Sequence, residues 1–391
     1  MKDKKFSIPF NRPFIVGKEL GNIARAVEVE SHLAGDGVFT RNCQKWLEEQ
    51  LGCEKALLTH SCTAALEMAA ILCGLKPGDE VIMPSFTFVS TANAFVLRDA
   101  VPVFVDIRPD TLNIDEKGIA AAITEQTRAI VPVHYAGTAC AMDEIMDIAE
   151  RHDLMIIEDA AQALLSTYKD RFLGTLGHFG CLSFHETKNI ISGEGGALLI
   201  NDARFSERAE IIREKGTDRA KYFRGEVDKY TWTDVGSSYL PSELVGAFLH
   251  AQLEEAEKII SARRRIFDLY RSLLLPLEEK GLIRLPFVDS NCSSNGHIFY
   301  IITGSPDENR SLIEYLKNKD ILSVFHYIPL HSSPAGRRFS RVSGEMKVTD
   351  DLSNRLLRLP LFYEITDEEV GRVAGSIKEF YRSRAQRQPA G

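Results

Sequence analysis

Between residues 56 and 185 short apolar runs alternate with amphipathic stretches. The runs at 56–59, 80–83, 101–106, 128–134, 154–159 and 180–185 are rich in Val, Ile, Leu and Phe and are mostly continuous rather than alternating. Strands buried on both faces read this way. Between them, residues 63–73, 90–97, 119–124 and 142–152 carry helical patterns. So regular an alternation predicts a mainly parallel sheet covered by helices on both faces. The turn-forming stretches LKPGD (75–79) and RPD (108–110) separate successive units.

The pattern changes after Trp232. Residues 242–273 read as one long, charge-rich helix, suited to connecting two domains. Beyond it, 298–303, 307–320, 323–327 and 368–381 predict a smaller α+β unit, and 385–391 a frayed tail. Residues 1–250 are therefore expected to form a large domain with an N-terminal arm, and 251–391 a small C-terminal domain with its connector helix. The chain length of 391 agrees, being more than one hydrophobic core usually organises.

Composition narrows the class. With 44% hydrophobic and 26% charged residues the chain matches ordinary soluble proteins, and disorder is not expected. The N-terminal segment MKDKKFSIPFNRPF has no apolar core of the kind a signal peptide needs. The longest apolar stretch, 56–75, is interrupted by His60, Ser61, Thr63 and Glu67, which excludes a membrane helix there. Seven cysteines without a CxxC pair or a His-paired metal spacing point to a reducing, cytoplasmic setting and to no metal site. A net charge of −8 argues against nucleic-acid binding.

Four segments at predicted strand ends carry candidate chemistry, at the edge where open α/β sheets bind ligands. In THSCTAA (59–65), Ser61 and Thr63 at a helix start form either a phosphate cradle or a plain helix cap. In LMIIEDAAQ (154–162), an apolar strand runs into Glu158 and Asp159. A buried acid there needs a cation or donor, and a pyridinium nitrogen would meet Asp159, with Gln162 reaching a ring hydroxyl. A solvent-facing capping pair is the other reading. In GCLSFHETKN (180–189), followed by SGEGG, Lys188 sits just past a strand beside a glycine turn, as a Schiff-base lysine would. A surface charge is the ordinary alternative. The turn lacks GxGxxG spacing, so a dinucleotide fold is disfavoured. In PSFTFVS (84–90), Phe88 can lie on a pyridine ring or simply pack in the core.

In this order, cradle, aromatic, EDAAQ, SFHETKN and GEGG resemble the DegT/StrS-type sugar-nucleotide aminotransferases, from IPFN at residue 8 to the C-terminal unit. That resemblance implies the aspartate-aminotransferase-like α/β architecture (fold type I): a large domain with a mainly parallel mixed sheet and a smaller α+β C-terminal domain. It implies pyridoxal 5′-phosphate held by Lys188, with Asp159 on the ring nitrogen, Gln162 on the ring hydroxyl, Phe88 stacked, and Cys62, Thr63 and Ser183 on the phosphate. It implies a homodimer with shared sites, Ser238 standing where many members carry an asparagine that reaches the neighbouring phosphate. The stretches GDGVFTRNCQKWLE, PVHYAG, YTWTDVGSSYLPSEL and VFHYIPLH further imply transamination of dTDP-4-keto-6-deoxy-D-glucose with L-glutamate, giving the 4-amino-4,6-dideoxy-D-galacto sugar for a surface glycan, the enterobacterial common antigen. The equatorial gluco product or another nucleotide is the alternative. A lysine rather than a histidine at 188 favours transamination over dehydration. His326, Tyr327 and His331 are candidate substrate contacts. A locally basic stretch (Arg213, Lys215, Arg219, Lys221, Arg224, Lys229) is either a nucleotide loop led by Arg219 and Arg224 or a solvated surface.

Overall fold

The computed structural model describes residues 6–387. Most of the frayed-tail expectation (388–391) and the first five residues lie outside the described part, while 385–387 continue the last helix, Asp367–Arg387.

Seven strands of an eight-stranded sheet come from residues 55–200: β1 (Lys55–Thr59), β2 (Glu80–Pro84), β3 (Val101–Val105), β4 (Thr127–Ile130), β5 (Met155–Asp159), β6 (Phe179–Ser183) and β7 (Gly196–Ile200). Their order is β1-β7-β6-β5-β4-β2-β3, and Arg341–Val342 from the C-terminal part adds the far edge. Every pairing from β6 to that edge is parallel, whereas β7 runs antiparallel to both β6 and β1. The sheet is thus mixed and mostly parallel, as expected from continuous apolar runs. Strands β2 and β7 are buried along their whole length, which explains why no alternation shows.

The expected first helices form at Cys62–Leu72, Val89–Val96, Glu116–Ala122 and Met142–His152. The long helix read at 242–273 is instead two, Glu243–Glu254 and Ala256–Glu278, interrupted at Glu255. The stretch 323–327 forms no strand. Val324 makes one isolated bridge to Arg358, and Tyr327 adopts a left-handed conformation (φ 42°) that no strand tolerates.

Apolar side chains gather on the two faces of the large sheet, with Leu58, Ile82, Ile130 and Ile156 toward one and Leu57, Met83, Val131 and Ile157 toward the other. A separate cluster between residues 266 and 381 packs the helices Ala256–Glu278 and Asp367–Arg387 against an antiparallel sheet of Ile283–Arg284, Phe299–Thr303 and Leu356–Leu359. Ile8 belongs to that cluster and pairs with Ile321, so the N-terminal arm lies against the C-terminal unit. No helix among the described residues is long and apolar enough to cross a membrane.

Candidate active site

A cavity of about 950 Å³ opens at the carboxyl ends of β1, β2, β5 and β6. Lys188 lies on the loop that joins the antiparallel strands β6 and β7. Phe184 and Glu186 donate backbone N–H groups to Gly195 and Gly193 across this loop (2.9 and 2.8 Å), and Lys188 N–H donates to His185 O at 2.8 Å. The lysine is therefore fixed at a hairpin end, half-buried and facing the cavity. Burial lowers its proton affinity, Cys62 and Asp159 push back, and Arg358 lowers it further.

At the end of β5, Asp159 is buried, as an acid at an interior strand terminus must be. Its Oδ2 accepts from Thr91 Oγ1 at 2.7 Å and its Oδ1 from Ala161 N–H at 3.2 Å. Thr91 Oγ1 is in turn 2.8 Å from Thr87 Oγ1. These neutral donors orient the carboxylate and leave acceptor capacity toward the cavity, since a carboxylate has about four lone-pair positions. Glu158, one residue earlier, points to the other face of the strand. It is fully buried and accepts from His134 Nε2 and the N–H groups of Gly174, Leu176 and Gly177. The two adjacent acids therefore divide into one that faces the cavity and one that fastens a loop behind it.

Gln162 has its amide sense settled by geometry. Ala136 N–H can only donate, and it lies 2.7 Å from Oε1, so Nε2 is the atom presented outward, 2.8 Å from Tyr327 Oη. Tyr327 stacks on His326 with centroids 3.6 Å apart, and His326 Nδ1 pairs with Tyr135 Oη at 2.7 Å. Burial, then Arg358 and Lys188, holds His326 well below the ordinary imidazole range, so it is neutral.

The opposite wall is built at the N-terminus of helix Cys62–Leu72. Ser61 Oγ caps Ala64 N–H at 3.1 Å, and the N–H groups of Cys62 and Thr63 have no partner within the helix. Thr63 Oγ1 and Ser90 Oγ are 2.7 Å apart, and Ser183 faces the same space. A Cβ on Gly196 would fall inside contact distance of Cys62 N and the Ser61 carbonyl group, which is why this strand starts with glycine. Phe88 is 57% exposed at the cavity edge, an apolar ring without a full set of neighbours.

This donor set fits pyridoxal phosphate. The helix start with three hydroxyls suits a dianionic phosphate. Asp159 has no cationic partner within hydrogen-bond reach among the described residues and suits a protonated ring nitrogen. Gln162 Nε2 suits the ring oxygen, Phe88 the ring face and Lys188 the carbonyl carbon.

The structure thus brings Cys62, Thr63, Phe88, Asp159, Gln162, Ser183, Lys188, His326 and Tyr327 to one cavity. It does not bring His331, Arg219, Arg224 or Ser238 to this cavity's lining. His331 is held between Ser85 Oγ (2.7 Å) and Asp350 (3.3 Å). Arg224 is paired with Glu210 and Glu226, while Arg219 lies over the rings of Phe223 and Tyr230. Arg213, Lys215 and Lys221 of the basic stretch are paired with Asp36, Glu214 and Glu207. Ser238 is exposed, bridged to Glu214. Thr91, Ser90, Arg263, His297 and Arg358 line or support the site without having been singled out. For Arg358 a signal existed: a lone cation inside the apolar run LLRLPLF.

A profile described as the DegT/DnrJ/EryC1/StrS aminotransferase family matches residues 16–378. The chain is similar to the spore coat polysaccharide biosynthesis protein SpsC of Bacillus subtilis, 31% identical over 386 residues that span 96% of this chain and 97% of that one. It is also similar to GDP-perosamine synthase of Escherichia coli O157:H7, 30% identical over 381 residues, 96% of this chain and 98% of the other. Among solved structures, S. venezuelae DesV in complex with a ketimine intermediate superposes with a TM-score of 0.85 at 28% identity, covering 95% of this chain and 98% of that one.

Proposed function

The chain belongs to the DegT/DnrJ/EryC1/StrS aminotransferase family, whose cofactor is pyridoxal phosphate, and we propose that it transfers the amino group of L-glutamate to C4 of dTDP-4-keto-6-deoxy-D-glucose. The products would be 2-oxoglutarate and dTDP-4-amino-4,6-dideoxy-D-galactose, destined for a surface glycan such as enterobacterial common antigen. The observation that carries the reading is the placement of Lys188 opposite Asp159, Gln162 and the helix start at Cys62 within one cavity.

When bound, pyridoxal phosphate supplies a carbonyl carbon that carries the amino group and a ring that takes up electron density. The chain's residues do the rest. Asp159 keeps the ring nitrogen protonated, and Thr91 holds Asp159 in place. Cys62 N–H, Thr63 and Ser183 hold the phosphate, and Phe88 covers one ring face. Lys188 Nζ, its proton affinity lowered by burial, takes the proton from Cα of the donor and delivers one to C4 of the sugar. His326 and Tyr327 stand where the sugar enters. Ser238, Arg219, Arg224 and His331 act, on this reading, at the sugar nucleotide or at the partner's site in a homodimer. The division near residue 250 and a cytoplasmic setting belong to the same proposal. The separate apolar cluster of residues 266–381 supports that division.

A second reading has a specific support: GDP-perosamine synthases of two bacteria are 30% identical over nearly the whole chain, which favours a GDP-linked keto sugar. One experiment separates the readings. The protein is incubated with pyridoxal phosphate, L-glutamate and either the dTDP- or the GDP-linked 4-keto-6-deoxy sugar, and the product is identified by NMR. The coupling between H3 and H4 reports the amine's orientation. Lys188→Ala should lose both turnover and the visible absorbance of the bound cofactor; retained turnover would sink the assignment of Lys188.

A further inference from the structure

His297 stands in the run SSNGHIFYIIT (293–303), just ahead of the buried strand Phe299–Thr303. An imidazole in such a place is ordinarily a fully bonded core residue. This one is bonded on one side only. It is 8% exposed, and it borders both the main cavity and a small gap of about 10 Å³ that Lys188, Asn189 and Gln162 also line. Its Nδ1 lies 2.8 Å from Asn189 Oδ1. Asn189 Nδ2 donates to the carbonyl of Asn295 at 3.1 Å, so Oδ1 is the accepting end of that amide. The ring hydrogen of His297 therefore sits on Nδ1, and Nε2 carries a free lone pair. Neither Nε2 nor Lys188 Nζ makes a hydrogen bond with a described residue.

The fold holds this ring tightly. Its backbone N–H donates to Asn295 Oδ1 at 3.1 Å, and its carbonyl accepts from Arg263 Nη2 at 2.8 Å. Asn295 Nδ2 in turn donates to the carbonyls of Gln162 and Leu164 at 3.0 and 2.9 Å. Gly296 has φ 63°, and a Cβ there would lie 2.9 Å from the Arg263 backbone, so the turn is pressed against helix Ala256–Glu278. Burial holds His297 well below the ordinary imidazole range, with Lys188 next and then Arg263, His326 and Arg358. Lys188 is thus the charge His297 feels most. The neutral ring exerts no charge in return, and the lysine answers to burial, Cys62, Asp159 and Arg358. A fixed, neutral acceptor left open beside the reacting amine is arranged for a donor.

We propose that His297 is a positioning residue for Lys188: its Nε2 accepts a hydrogen bond from Lys188 Nζ once that amine is free of the cofactor, and holds it for proton transfer. This rests on the aminotransferase reading above and deepens it. A lysine that has taken a proton presents three N–H donors in a buried site, and each one left unbonded is costly. Asp159 is committed to the ring nitrogen, and Arg358 repels the ammonium. Nε2 is the acceptor that remains. A ring held neutral does not take the proton itself, so Lys188 stays the carrier. Asn189, adjacent to the lysine in the chain, bonds the ring, so that the lysine loop and its acceptor are set by one pair of neighbouring residues.

The test uses the full-length protein and two variants that divide the ring's functions. His297→Asn places an amide near Nδ1, keeping the bond to Asn189 and losing the acceptor, while His297→Gln places an oxygen near Nε2 and loses that bond. Asn should slow the L-glutamate half-reaction by about 10- to 100-fold with KM within about threefold of the parent, and Gln should restore most of the rate. The isotope effect of α-deuterated L-glutamate should rise in the Asn variant, because the proton step is the one slowed. One readout needs no turnover: cofactor-free protein mixed with pyridoxal phosphate gains visible absorbance as Lys188 bonds it. That rate should fall in the Asn variant, while affinity for pyridoxamine phosphate, which forms no bond to lysine, stays close to the parent's. Activity kept by Asn and lost by Gln would overturn the proposal, being the pattern of a merely structural bond to Asn189. A raised KM with an unchanged rate would also sink it, assigning Nε2 to a substrate. If Asn at 297 prevents folding, as judged by circular dichroism, the parent decides through histidine labelled with nitrogen-15. His297 Nε2 should then resonate as an unprotonated nitrogen and shift between the pyridoxal phosphate and pyridoxamine phosphate forms, and a protonated or unmoved Nε2 would refute the assignment. If the parent takes no amino group from L-glutamate, the donor reading fails, and the rate of cofactor bonding decides the role of His297.

Discussion

Glu158→Gln is a small change in volume with a large expected consequence. The carboxylate is fully buried and receives four donors. Leu176 and Gly177 N–H lie 2.7 Å from Oε1, and Gly174 N–H and His134 Nε2 lie 2.8 Å from Oε2. His134 Nδ1 accepts from Cys140 N–H at 3.2 Å, so its Nε2 carries the hydrogen and donates. An amide offers one oxygen and one NH₂, so in either orientation two of the four donors face another donor. A tautomer switch at His134 would only move the deficit to Cys140. Two hydrogen bonds to a charged, buried group are lost, at about 1.5–3 kcal/mol each, or about 3–6 kcal/mol together. At 1.4 kcal/mol per decade this is a loss of roughly 100- to 10,000-fold in local protection. Hydrogen exchange followed by mass spectrometry reads it directly. The peptide spanning Gly174, Leu176 and Gly177 should exchange faster by that factor, while peptides from helix Asp367–Arg387 should not change. The same loosening should reach the site, because the His134–Gly137 turn supplies the Ala136 N–H that orients Gln162. Protection of 173–178 within threefold of the parent would refute the reasoning.

Three further outcomes are expected. Thr91→Val removes one of the two donors to Asp159 and should lower kcat/KM by about 10- to 100-fold with the fold intact, while Thr91→Ser keeps most activity; equal activity in both variants would show that Asp159 needs no second support. Gly196→Ala sets a methyl against the backbone of Ser61 and Cys62, which cannot swing away, so the dissociation constant of pyridoxal phosphate should rise at least tenfold and the melting temperature should fall. His297 and His326 are held well below the ordinary imidazole value of 6.5, chiefly by burial. The unfolded chain therefore binds two protons that the folded chain does not as pH falls below 6.5. Stability should drop on that acid side by about 1.4 kcal/mol per pH unit for each histidine and be fully present above it. Urea midpoints measured from pH 7 to pH 5 should fall less steeply in His326→Gln, and parallel slopes would sink the assignment.

The elements legible in the sequence are those whose signal is local. Parallel strands buried on both faces show as continuous apolar runs, and five of the six expected strands end within two residues of the reading. The exception is 128–134, where the regular part of β4 stops at Ile130; Pro132 has no N–H for the ladder, although Val131 still donates to Ile82 O and Val133 still bridges Asp159. Strand β7 was hidden because GALLI follows a glycine turn, and only its pairing with β6 and β1 makes it part of the sheet. The basic stretch drew attention through charges of one sign. Its partners Glu207 and Glu210 lie on the preceding helix Ser206–Arg213, and Asp36 lies far away along the chain.

Local chemistry thus settles a good part of the cofactor site before any folding is considered. An acid at an apolar strand end, hydroxyls at a helix start and a lysine beside a glycine turn each need only their immediate neighbours to be recognised, because caps, turns and strand termini are short-range structures. The unpaired state of Arg358 could not be read that way. It depends on Phe10, on the Phe325 carbonyl and on no acid among the described residues forming an ion pair with it, contacts that span up to 348 positions along the chain. The same holds for Gln162 and Tyr327, 165 positions apart, whose bond joins the two parts of the molecule across the cavity. Whether a charge is solvated, paired or left unpaired is decided by the complete surroundings of its side chain, and those exist only once both sheets and the N-terminal arm have closed around it.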